Sequence, residues 1–76
     1  MHEQPDAVLA QLIKQLREDR EITQEQLAFE AGITASALSR IERGNNNPGW
    51  MTVRRIADAL GVTLVQLARK IEDAGG

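Results

Sequence analysis

A chain of 76 residues is long enough for one domain and too short for two. Its 42% hydrophobic content excludes disorder for want of a core, and the absence of cysteine excludes disulfides and thiolate metal sites, which fits a cytoplasmic protein. The net charge of −2 argues on average against a polyanionic partner, yet residues 35–55 hold Arg40, Arg43, Arg54 and Arg55 against Glu42 alone, and a duplex needs only one basic face.

The first residues, with His2, Glu3, Gln4, Pro5 and Asp6, do not resemble a signal peptide. No apolar run approaches the ~18 residues that span a bilayer, so a soluble protein without membrane contact is expected. Val8, Leu9, Leu12, Ile13 and Leu16 then recur at helical spacing and predict a first helix over about residues 6–20. Leu27, Ala28 and Ala31 mark a short second helix, and Leu38 and Ile41 a third. Val53, Ile56, Ala57 and Leu60 mark a fourth; Leu64, Leu67, Ala68 and Ile71 mark a fifth. Aromatics are confined to Phe29 and Trp50, and no alternating run suggests a strand.

The helix ends carry more information than the interiors. Thr23 with Gln26 three residues on forms a capping box, in which each side chain reaches the other's backbone N–H, and Ile22 can pack on Leu27 as a staple. The same pattern returns at Val62, Thr63, Gln66 and Leu67. At Ile33, Thr34 and Leu38 the cap and staple remain, with Ala37 in place of the glutamine. Gly32, Gly44 and Gly61 supply the stops. Asn45-Asn46-Asn47-Pro48-Gly49 is the longest loop signal, and Gly75-Gly76 should fray. The sum is an all-α, compact five-helix bundle. Gly32 ends the second helix while Thr34 already caps the third, so about three residues make the turn between them, as in a helix-turn-helix.

Residues 23–43, TQEQLAFEAGITASALSRIER, resemble the helix-turn-helix of the Cro and phage-repressor (XRE) family. LIKQLREDREIT before them and GNNNPGWMTVRRIADALGV after them extend the resemblance to roughly residues 9–68. It implies the phage-repressor DNA-binding fold as a single domain over residues 1–76, with the helix-turn-helix at 24–43. The activity it implies is that of a sequence-specific transcriptional regulator on double-stranded DNA, cytoplasmic and associated with the bacterial nucleoid. The second helix would rest on the DNA backbone at Thr23 and Gln24, where open N–H groups attract phosphate. The third would lie in the major groove, turning Thr34, Ala35, Ser36, Ser39 and Arg40 toward base edges. Arg43, Gly44 and Asn45 fall where family members contact phosphate, and Arg54 and Arg55 lie less directly near it. Arg17 and Glu42 match an ion pair joining the first helix to the third, a structural role. The last helix, residues 63–73, is the family's common dimerisation element, with Val65, Ala68 and Ile71 as the two-fold interface here. A homodimer would read a roughly palindromic operator, one half-site per protomer.

Each of these residues has a plainer alternative. Without the motif Arg40 is a solvated arginine, and Arg43 a cation complementing a helix C-terminus. Arg54 stands four before Asp58, in place for an intrahelical pair. Trp50 stands where family members usually carry a core leucine, at the first turn of the fourth helix, so the resemblance implies burial. Only Arg40 on the reading helix is long and multidentate, able to grip guanine O6 and N7 together. The short residues at Ala35, Ser36 and Ala37, with the acidic net charge, keep open a protein-interaction module that retains the fold without DNA binding. An enzyme is not expected: no nucleophile–base set can be assembled from one terminal histidine and no cysteine. Nor is a metal, a cofactor or a small-molecule ligand expected.

Overall fold

The computed structural model describes residues 7–45 and 47–74. Five helices follow in chain order: α1 Ala7–Asp19, α2 Gln24–Ala31, α3 Ala35–Glu42, α4 Trp50–Leu60 and α5 Leu64–Asp73. The five apolar stripes are therefore five helices, and the expected all-α bundle stands. Expectations at His2, Asp6, Asn46 and Gly75-Gly76 lie outside the described residues.

Local chemistry sets the boundaries as the caps foretold. Thr23 and Thr63 both close complete capping boxes, with Gln26 and Gln66 accepting at 2.8 and 2.9 Å from the backbone of their caps. Thr34 accepts from the Ala37 N–H at 3.0 Å, with no reciprocal bond to make. At the other ends, Gly32 and Gly61 take left-handed backbone conformations. There the N–H two residues beyond the helix returns to a carbonyl one turn in, Ile33 to Ala28 at 2.9 Å and Val62 to Ala57 at 3.0 Å.

The core is built on α2, which lies between α3 and α4 and packs most extensively against both. Ile13, Leu27, Ala28, Ala31, Leu38, Ile41, Ile56 and Leu60 form one buried cluster. Ala28 and Ala31 let the backbones of neighbouring helices approach, as small buried side chains do. Ile22, Ile33 and Val62, the residues before the three threonine caps, pack against this cluster, so each helix start is pinned to the core as well as capped. Long-range polar ties supplement it. Arg17 joins Glu42 across α1 and α3, and Arg20 Nη1 donates to the Ala59 carbonyl at 2.7 Å near the end of α4. No helix among the described residues is long and apolar enough to cross a membrane.

Trp50 departs from expectation: it is 66% exposed. Its phase is right for burial, three and seven residues before Val53 and Ala57. It opens α4, however, and the buried residues of that helix begin only at Ile56. The first turn therefore lies at the margin of the core, where most of the Trp50 side chain meets solvent. Phe29, at 86%, is more exposed still, out of phase with Leu27, Ala28 and Ala31.

Candidate nucleic-acid interface

At the start of α2 the first helical N–H groups have no partner within the helix. The Thr23 hydroxyl takes that of Gln26 at 3.0 Å, which leaves those of Gln24 and Glu25 open at the positive end of the helix dipole. That end can attract a phosphate through the backbone alone. The Gln24 side chain is not free: its Nε2 donates to Glu42 Oε1 at 3.0 Å and is partly buried. Sequence reasoning placed Gln24 on the surface and missed this bond, which joins residues 18 apart in the chain.

Along α3, Leu38, Ile41 and Glu42 face inward. Thr34, Ser36 and Arg40 are exposed, Ser39 is half-buried, and Ala35 is half-buried against the core. Ala35 thus turns part of its methyl away from any base. The Thr34 oxygen already accepts from Ala37, which leaves its hydroxyl proton and one lone pair to offer. Arg40 is exposed and, among the described residues, has no ion-pair partner. All its donors remain available.

The far end of α3 turns through Arg43 and Gly44 into Asn45, whose N–H donates to the Arg40 carbonyl at 3.0 Å. Arg43 and Asn45 are exposed there. Arg54 and Arg55 are exposed on α4, and the described residues contain no Arg54–Asp58 ion pair. The arginines of residues 35–55 therefore point to solvent, while Arg17 does not.

Arg17 is held on all sides. Its Nε and Nη2 donate to the Glu42 carboxylate at 2.8 and 3.1 Å, and Nη1 donates to the Ile22 carbonyl at 2.9 Å. The hydrogen bond to Glu42, opposed by burial, holds the guanidinium above its usual range. The expected ion pair between α1 and α3 is present in this bidentate form.

On α5 the expected stripe divides. Leu67 is buried and Leu64 and Ile71 are half-buried, whereas Ala68 is exposed and Val65 is 66% exposed. Val65 and Ala68 thus share a face that the protomer does not cover, with Ile71 at its edge. The described residues hold no cluster of three or more His, Cys, Asp or Glu that could bind a metal.

Comparison with known proteins agrees with this fold. The family model described as a helix-turn-helix domain matches residues 8–69. The chain is 43% identical over 54 residues to the immunity repressor protein of Bacillus phage phi105, covering 71% of this chain and 38% of that protein. It is 36% identical over 58 residues to an uncharacterised HTH-type transcriptional regulator of Sinorhizobium fredii, covering 76% of this chain and 75% of that one. The chain therefore spans well under half of the phage repressor and most of the second relative. Among solved structures, the wild-type restriction–modification controller protein C.Esp1396I superposes with a TM-score of 0.83 at 25% identity, covering 88% and 86% of the two chains. The controller protein C.AhdI from Aeromonas hydrophila gives 0.77 at 30% identity, covering 80% and 92%.

Proposed function

The chain belongs to the helix-turn-helix family of transcriptional regulators, and on that premise we propose that it binds a palindromic DNA operator with α3 in the major groove. The observation that carries this reading is Arg40: an exposed, unpaired arginine in the last turn of α3, the helix that lies between two phosphate-attracting corners. A guanidinium so placed can take guanine O6 and N7 together, worth about 1–3 kcal/mol of discrimination. Thr34, Ser36 and Ser39 add hydroxyl contacts to base edges, and Ala35 a small apolar one. Thr23 and the open amides of Gln24 and Glu25 grip phosphate on one side of the groove, and Arg43 with Asn45 on the other. Two protomers joined through Val65, Ala68 and Ile71 place two reading helices about one turn of DNA apart. Residues 1–76 act in this reading as one DNA-binding domain.

The test is selection of bound duplexes from a random pool, run in parallel with Arg40→Ala. An enriched palindromic motif that loses a guanine preference in the variant supports the reading. A second reading, an interaction module that keeps the fold without binding DNA, draws on Phe29, exposed on α2 between Glu25 and Glu30. It prevails if no duplex is enriched even at low salt, where phosphate attraction is greatest.

A further inference from the structure

Glu42 is the last residue of α3, and its side chain is only 2% exposed. Its carboxylate accepts three hydrogen bonds, two from Arg17 and one from Gln24 Nε2 at 3.0 Å. Arg17 in turn holds the Ile22 carbonyl. One buried carboxylate thereby ties together the second half of α1, the chain leading into α2, the first residue of α2 and the end of α3. Next to its attachment points stand both proposed phosphate grips: Thr23 and Gln24 at one, Arg43 and Asn45 at the other.

The chemistry of this contact fixes the Gln24 amide. A carboxylate engaged by arginine only accepts, so the amide must turn its nitrogen, and not its oxygen, toward Glu42. That nitrogen carries two hydrogens, and Glu42 Oε1 uses one. A phosphate is also a pure acceptor, so the second hydrogen is the group with which Gln24 can meet DNA. Released from Glu42, the amide could swing away from the phosphate or turn its oxygen toward it, and that approach is repulsive.

We infer that Glu42 is a positioning residue for DNA binding: it orients the Gln24 amide so that one nitrogen bridges the buried Arg17–Glu42 pair and a DNA phosphate. The inference rests on the DNA-binding reading and deepens it. The ion pair then acts on affinity as well as on folding, through a carboxylate that never touches DNA.

A double-mutant cycle on binding tests it, with Gln24→Met, Glu42→Gln and the double variant, all measured well below their melting temperatures. Gln24→Met should weaken binding about tenfold, as expected for a lost hydrogen bond to a charged group. The loss should be equal on operator and random duplex, because phosphate contacts carry no sequence information. In the Glu42→Gln background the same change should cost about twofold or less, since coupled residues are non-additive. A tenfold loss in both backgrounds overturns the inference, as does no loss in either. Should Glu42→Gln fail to fold, the amide spectrum of the wild-type protein decides. One Gln24 side-chain proton should shift on adding duplex while the other, bonded to Glu42, stays in place; joint movement or none overturns the inference. Failure of the DNA-binding reading itself looks different, because the wild type then binds no duplex and Arg40→Ala changes nothing.

Discussion

Arg17 and Arg40 are the same side chain in opposite circumstances, and they should respond differently to removal. Arg17→Met strands the Glu42 carboxylate in a partly dry site, with a side chain 2% exposed and only Gln24 left to donate to it. Breaking one partner of a buried pair costs about 3–5 kcal/mol. That is a large share of what a domain this small possesses. Urea unfolding at pH 7 checks it, and a loss below about 1 kcal/mol would mean that the pair is as weak as a solvated one. Arg40→Ala, by contrast, should change stability by less than about 0.5 kcal/mol while removing the guanine preference from the selected motif. No pH dependence comes from Arg17 near neutrality. Its bond to Glu42 raises its folded-state pKa, so its contribution is complete below the ordinary guanidinium range and fades only above it. At this scale the sequence was partly legible. The Arg17–Glu42 pair was foreseeable because it belongs to a recurrent pattern. The Gln24 bond was not, because nothing in the local spacing announces a hydrogen bond between the start of α2 and the end of α3.

Helix ends were the most legible elements, since caps depend on neighbours three or four residues away. Thr23 and Thr63 sit in identical boxes, and each Thr→Ala substitution should cost about 1 kcal/mol, measurable as a lower melting temperature. Thr23→Ala should weaken DNA binding too, and Thr63→Ala should not, if only the first lies beside phosphate. The end of α1 is less obvious and more useful. Ile22 N–H returns to the Arg17 carbonyl and Glu21 N–H to that of Glu18, the pattern seen after α2 and α4. The residue at the left-handed position is Gly32 or Gly61 in those cases and Glu21, at φ 56°, in this one. A non-glycine residue there costs about 1–2 kcal/mol, partly offset by the greater unfolded-state freedom of glycine. Glu21→Gly should therefore stabilise the protein by about 0.5–1 kcal/mol, read as a higher urea midpoint at unchanged slope. An unchanged or lower midpoint would show that the Glu21 side chain contributes something the backbone geometry does not reveal. Sequence reading passed over this stop because it lacks the glycine that marks the others.

For the whole molecule, burial was legible where elements face each other and illegible at their margins. The family resemblance put Trp50 in the core, and its phase with Val53 and Ala57 agrees, but neither says whether a neighbour extends far enough to cover it. On α5 the same blindness works in the other direction. The sequence showed one apolar stripe of Leu64, Leu67, Ala68 and Ile71, and the fold divides it into Leu67, which finishes the protomer's core, and Ala68, which stays exposed beside Val65. That division supplies a better probe of self-association than Ile71, whose half-buried side chain also contributes to folding. Val65→Asp places a charge on a residue already 66% exposed, so at protein concentrations too low for dimerisation it should leave the melting temperature unchanged. If this face joins two protomers, sedimentation should show the wild type as a dimer at tens of micromolar, roughly the weakest range useful to a regulator, and the variant as a monomer. DNA affinity should follow. The variant loses the gain from linking two reading helices, so its affinity for a full palindrome falls toward that for a single half-site while its guanine preference at Arg40 persists. A wild type that sediments as a monomer, or a variant that remains dimeric, would remove Val65 and Ala68 from the interface and leave the arrangement of the two reading helices to another face.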